Sequence, residues 1–477
     1  MRSFALLLLL AAPLSLLRAQ DYDVVVANGR VIDPESGLDG VRNVGIRSGH
    51  IAAISEQPLR GKRTIDAKGL VVAPGFIDLH QHGQDDENYR YAALDGVTTA
   101  LEMEVGTGDV DAWYRQHGPS RLINYGVSIG HIPVRMKVMG DSGNLLPSGP
   151  GGNRIATAAQ VNEMARMINA GFDAGALGLG LGPAYTPAAS NWEVLEMFRV
   201  AGQHHASAHI HVREGPIGDP EGNAPGMEEA VAAALSTGTP LHIVHVNSVS
   251  YFAIGRTLAL LRGARAHGLD VTWEAYPYSA SMTEIESALF DDWGDRPDSD
   301  YQKLEWPQTG ERLTRASFQA KRKEGGIVIM HDNTDANDAI AVGDSLTMIA
   351  SDGFMHQGKG HPRATGTYAR VLGHFVREAN AFSLSAAIRK MSLMPAQRLQ
   401  KRAPAFARKG RVKVGADADL AIFDPAQVID RSTYQQPALP PEGIVHVLVN
   451  GSPVVSVGKI VPNVAPGRPM RAPKSQA

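Results

Sequence analysis

The chain has 477 residues, 43% hydrophobic and 20% charged, which is enough for a large α/β barrel and a second domain. A net charge of −3 leaves neither the basic footprint of a nucleic-acid binder nor a polyanionic tail. The absence of cysteine excludes disulfide scaffolds, zinc–thiolate sites and thiol nucleophiles together, and 17 histidines leave imidazole and carboxylate as the available metal ligands.

In chain order, Arg2, the apolar run Phe4 to Leu14 and the small or neutral residues before Asp21 read as a secretory signal over residues 1–20. The run is shorter than the ~20 residues of a membrane span. Export to a bacterial periplasm is expected, with no membrane attachment after signal removal. Residues 21–69 alternate short strands with turns at Gly29, Gly40, Gly49 and Gly61, and a matching β-rich piece lies at Ala418 to Asp424 and Gly443 to Val455. The two ends, 21–69 and 405–462, are expected to pair into a small β-sandwich.

Across 70–404, strand-like and helix-like segments alternate, which argues for parallel strands with crossover helices. Counted from the segment before His80, with Ile327 to Asp332 and Ser345 to Asp352 as the last two, they favour a (β/α)8 TIM barrel; a doubly wound sheet is the alternative. Residues 284–324 break the rhythm. They are long, polar and rich in Asp, Arg, Pro and Trp, and are expected to be an insertion with little core of its own, either a lid or a decoration. The basic, proline-containing tail, 463–477, is expected to be disordered.

The chemistry collects at strand ends. In VVAPGFIDLHQHGQ (Val71 to Gln84) a short β segment delivers His80 and His82, and residues i and i+2 of a strand share a face, so both imidazoles can reach one ion. Later strands end in Glu102 and Glu104, His131, His209 and His211, His242 and His245, and Asp352. A TIM barrel gathers such ends at one mouth. Imidazoles and a carboxylate suit Zn2+ or a similar divalent ion with an open coordination position. Asp352 is placed to take a proton from the activated water and pass it to a leaving amine, although an Asp before Gly353 is also a common turn residue. His242 lies off the face of His245 by strand parity and reads as a core residue, and His209 and His204 read as structural.

The His80 stretch resembles the first metal-binding strand of the amidohydrolase superfamily. GVTT (96–99), GHIPVR (130–135), GPAYTPAAS (182–190), YPYSAS (276–281), SDG (351–353), HPRATGTYARVLGHFVRE (361–378) and GRVKVGADADLAIFDP (410–425) resemble its N-acyl-D-amino-acid deacylase (D-aminoacylase) branch, over nearly all of the mature chain. The resemblance implies that His80, His82, His211, His245 and Asp352 occupy metal and catalytic positions. Where the branch carries a cysteine on the second strand, this chain has Val105, so Glu104 is the substitute ligand and Glu102 the second choice. The lysine that hydantoinase relatives carboxylate is absent from Ala176 to Tyr185, which leaves one or two metal ions open. Arg363 and Tyr276 match positions that hold the substrate carboxylate, while Asn247 stands where the branch has a lysine.

The implied activity is hydrolysis of the amide C–N bond of an N-acyl amino acid by metal-activated water, with Asp352 as general acid and base and a small-molecule amide as substrate. Two alternatives share the metal site, a cyclic-amide (hydantoinase-like) hydrolase and a dipeptidase. A third, from another class, is a secreted barrel scaffold without catalysis, and the intact His and Asp set argues against it. A homo-oligomer is left open.

Overall fold

The computed structural model describes residues 22–213 and 224–475; the segment read as a signal, 1–20, lies outside the described residues. Eight parallel strands form the central barrel: Phe76–Asp78, Val97–Thr107, Asn124–Gly130, Leu179–Leu181, Ala208–Ile210, Leu241–Ile243, Val271–Ala275 and Thr347–Ile349, each hydrogen-bonded to the next. Helices cover them, and nearly every strand residue is buried. Ala158–Asp173 is one such helix. A capping box of Thr157 and Gln160 starts it, and Met164, Ile168 and Phe172 turn its apolar face to the barrel.

Two local devices place the functional residues. On the fourth strand a Cβ at Gly180 would lie 2.1 Å from the Glu104 carbonyl oxygen, so glycine there lets the second strand come close. Between the first and eighth strands, the Asp78 carboxylate replaces ladder hydrogen bonds. Its Oδ1 accepts from the backbone N–H of His80 (3.1 Å) and of Ser351 (3.0 Å), and the His82 N–H donates to the Gly353 carbonyl (2.9 Å). This closure sets His80, His82 and Asp352 side by side.

The two chain ends do share one β domain, and its hydrogen bonds run through a single nine-stranded sheet rather than two separate layers. The long first strand, Tyr22–Asp33, makes this possible, since it pairs with Gly61–Asp66 along one half and with Val71 and Val72 along the other. Val71–Pro74, which the sequence reading assigns to the barrel, is therefore a strand of this sheet and pairs antiparallel with Leu420–Phe423. Val26, Val31, Val44, Ile46, Leu420, Ile422 and Leu448 pack together as its core.

Two further expectations are corrected. Ile327–Met330 is not a barrel strand. It pairs with Ser281–Glu284 and Leu304–Trp306 in a separate four-stranded antiparallel sheet, completed by Glu311–Arg312. The insertion thus runs from 281 to 330 and has a core of its own, because its aromatic residues, Phe290, Trp293, Tyr301, Trp306 and Phe318, pack on one another with Leu304 and Val328. The tail is ordered through residue 475. Gly467 exchanges backbone hydrogen bonds with Arg121, Met470 N–H donates to Tyr125 O (2.7 Å) and Ala472 N–H to Gly175 O (3.0 Å), while the Met470 and Ala472 side chains are buried. Alternate tail residues meet the barrel floor, which outweighs a polar composition. Among the described residues no helix is long and apolar enough to cross a membrane.

Candidate metal centre

At the C-terminal mouth of the barrel, Glu104 is the hub. Its Oε2 lies 2.9 Å from His80 Nε2 and 3.3 Å from His82 Nε2, while its Oε1 lies 2.9 Å from His211 Nδ1 and 3.4 Å from His245 Nε2. Asp352 Oδ1 closes the first group, 3.4 Å from His80 Nε2 and 3.1 Å from His82 Nε2. The ligand atoms of His80, His82, Glu104 and Asp352 lie within 4.8 Å of one another, as do those of Glu104, His211 and His245. Two potential ion positions thus share one carboxylate.

Glu102 has a different place from Glu104. Its Oε2 lies 2.6 Å from His82 Nδ1, and its Oε1 accepts the backbone N–H groups of Glu104, Val105 and Gly106. It orients a histidine and shapes the bend that presents Glu104.

The sequence reading missed Glu274. Buried beneath the cluster on the seventh strand, it sets Oε1 2.8 Å from His80 Nδ1 and Oε2 3.0 Å from His242 Nε2. His242 Nδ1 in turn lies 2.8 Å from the Thr272 hydroxyl. Burial would raise the Glu274 carboxyl, but His242 and His80 hold it down at about 2.

The donor set fits a divalent cation on the following argument. The Nδ1 atoms of His80 and His82 are each held by a carboxylate, which assigns the hydrogen there and leaves the Nε2 lone pairs pointing inward. Those two nitrogens are 3.2 Å apart and face Glu104 and Asp352, so four acceptors converge without a donor. A cation between them makes every contact attractive. Without one, the imidazoles must take up protons: burial opposes this, but Asp352 and Glu104 around His80, and Glu102 and Asp352 around His82, raise both well above the usual imidazole range. His245 behaves differently, since burial and the neighbouring His211 push it down and favour a neutral ligand.

The backbone is strained here. His245 has φ 27° and Asp352 φ 51°, left-handed values that side-chain-bearing residues adopt when the surrounding structure holds them, as at many functional sites. Arg363 is fully buried beside Asp352. Its Nε donates to the Asp352 carbonyl (2.7 Å), its Nη2 lies 2.8 Å from Asp352 Oδ2, and its guanidinium stacks 4.4 Å from the Tyr276 ring centre. Burial alone would raise the Asp352 carboxyl, yet Arg363 and His80 hold it well below the usual carboxylate range. Arg363 Nη1 is buried with no hydrogen-bond partner.

Asn247 is turned away from this group, donating to the Tyr276 carbonyl (3.1 Å) and to Asp338 Oδ1 (2.9 Å). His131 and Arg135 of the GHIPVR run both contact Glu193 and tie two helices together. His209 packs in the barrel interior, its Nε2 3.0 Å from the Ser207 hydroxyl. Met282, Leu289 and Met330 of the insertion line a small cavity with Tyr185, His211 and Asp352, so the insertion roofs the site.

Imidazoles and carboxylates gathered at the C-terminal mouth of a (β/α)8 barrel, with an acid beside them, define the class as a metal-site hydrolase barrel. The chain belongs to the amidohydrolase family, whose model matches residues 63–121 and 156–455. It is 31% identical to the N-acyl-D-glutamate deacylase of Alcaligenes xylosoxydans xylosoxydans, over 96% of this chain and 98% of that protein. It is 29% identical to the D-aminoacylase of the same organism, over 91% of this chain and 95% of that protein. In structure it is similar to the N-acyl-D-glutamate deacylase of Bordetella bronchiseptica solved with zinc and a phosphonate inhibitor, with a TM-score of 0.80 and 26% identity, covering 95% of this chain and all of that one.

Proposed function

We propose that this protein is a zinc-dependent deacylase that hydrolyses the amide bond of N-acyl-D-amino acids. The observation that carries the proposal is Glu104, one oxygen toward His80 and His82 and the other toward His211 and His245, with Asp352 and Arg363 alongside. The D configuration rests on the relatives, which are named for D substrates.

In this reading His80, His82, Glu104, His211 and His245 hold one or two Zn2+ ions. A bound ion supplies an acidified water and polarises the amide carbonyl. Asp352 Oδ1, 3.1 Å from His82 Nε2 and 3.4 Å from His80 Nε2, is placed to accept the water's proton and return it to the leaving nitrogen. Arg363 Nη1, which lacks a partner, grips the substrate carboxylate while its other edge steadies Asp352. Tyr276 backs that guanidinium. Asn247 brings no positive charge where the branch resemblance expects one, so carboxylate recognition falls on Arg363. Glu274 and Glu102 fix His80 and His82 from behind.

The test is a screen of N-acyl-D- and N-acyl-L-amino acids, dipeptides and hydantoins against purified protein, with zinc added and with chelator. Zinc-dependent release of free D-amino acid is expected. Turnover confined to cyclic amides or to L substrates would reject the assignment. Residues 1–20 are proposed as an export signal cleaved before Asp21 for a periplasmic enzyme; N-terminal sequencing of the protein from its native cell, starting at Met1, would reject that.

A further inference from the structure

The opposite mouth of the barrel holds a cavity of about 190 Å³ that the catalytic reading does not use. It opens between the starts of the central strands and the helix Met394–Leu399. Arg265, Arg389, Arg398, Lys401 and Arg402 line it, against a single carboxylate, Asp270.

Local contacts leave that charge largely uncompensated. Arg398 donates from Nη1 to Asp270 Oδ1 (2.8 Å), and Lys401 Nζ lies 3.7 Å from the other oxygen of the same carboxylate. Arg265 donates to the Val271 carbonyl (3.0 Å) and Arg402 to those of Phe172 (2.8 Å) and Ala176 (3.2 Å), which satisfy N–H groups but neutralise nothing. The Arg398 side chain is only 4% exposed, and its Nε is buried with no hydrogen-bond partner. A buried guanidinium N–H without an acceptor is one that the protein leaves unsatisfied.

We propose that this mouth is a binding site for a small multivalent oxyanion, with inorganic phosphate as its simplest member. Five cations against one carboxylate favour a multiply charged guest over a monovalent one. Guanidinium forks match the paired oxygens of a phosphate, and the cavity admits the ion with part of its hydration shell. The site lies at the end of the barrel away from His80 and Asp352, so occupancy does not compete with the proposed substrate.

Calorimetric titration of inorganic phosphate into the zinc-loaded protein at constant ionic strength tests this. Saturable binding is expected, weakened at least tenfold in the rim variant Arg389→Ala/Lys401→Ala and, independently, in Arg265→Gln. Glycerol phosphate, run in parallel, separates a phosphate ester from the free ion, and variant-sensitive binding of either supports the site. Acetate binding as tightly as phosphate would overturn the multivalent reading. No saturable binding, or the same affinity in all three proteins, would overturn the site itself, the latter because the ion would then sit at the metal centre.

Discussion

Glu274 is the group on which the geometry of the metal centre can be tested most directly. It touches no substrate; it holds His80 from behind at 2.8 Å and is shared with His242 at 3.0 Å. In Glu274→Gln the amide oxygen can still accept from His80 Nδ1, so the tautomer survives while the negative charge that makes the imidazole a stronger donor is lost. Carboxylates behind metal-ligating histidines contribute about 10–100-fold to metal affinity. The glutamine variant is expected at the low end, about tenfold or 1.4 kcal/mol, and Glu274→Ala, which frees the ring, at the high end, about 100-fold or 2.7 kcal/mol. The assay is competition for zinc against a chelator of known affinity, with circular dichroism to establish equal folding. The turnover of fully zinc-loaded Glu274→Gln should stay close to that of the parent, because the ligands are still present. If Glu274→Ala binds zinc as tightly as the parent, His80 is positioned by something else and this account of the centre fails.

Asp352→Asn should lower kcat by about 10²–10⁴ while at least one equivalent of zinc is retained; activity within tenfold of the parent would remove Asp352 from proton transfer. Glu284, on the insertion strand, accepts the Leu146 N–H, and burial pushes its carboxyl up to about 7 from an ordinary 4.5. The unfolded chain therefore loses this proton first, and between about pH 4.5 and 7 the folded state binds more protons, so this group's contribution to stability falls as pH rises. Glu284→Gln should accordingly gain on the parent through that window, reaching about 3 kcal/mol above pH 7; a melting-temperature difference that is flat with pH would contradict this. Deleting residues 466–477 removes Met470 and Ala472 from the barrel floor and should lower Tm by about 5 °C or more, whereas an unchanged Tm would mean the tail contributes nothing.

Much of the site was legible because parallel barrel strands end at one mouth, so titratable residues at the ends of apolar runs must converge. His80, His82, His211, His245 and Asp352 are all brought together in this way, and Glu104 rather than Glu102 faces both groups of histidines. What escaped the sequence has physical reasons. An apolar run of four residues fits a buried strand in any sheet, so Ile327–Met330 could not be assigned to the insertion without its partners. The insertion's core is aromatic, and in a polar stretch scattered Trp, Tyr and Phe give no periodic pattern. The tail's signal was only two buried side chains in alternation, Met470 and Ala472, among prolines and cations. Glu274 lay hidden because a carboxylate inside a strand announces its burial only once its histidines are seen.

The first and last stretches of the described residues are both built into the fold, one through Tyr22–Asp33, which shares a sheet with Leu420–Phe423, and the other through backbone pairing of Gly467 and Met470 under the third barrel strand. A ribosome adding about 5–20 residues per second takes on the order of tens of seconds to supply the partners that the first strand needs. Until then Val24, Val26 and Val31 have only their near neighbours to cover them. The sheet is consequently completed only once Leu420–Phe423 has been made, and the early strands spend that interval with apolar surface uncovered.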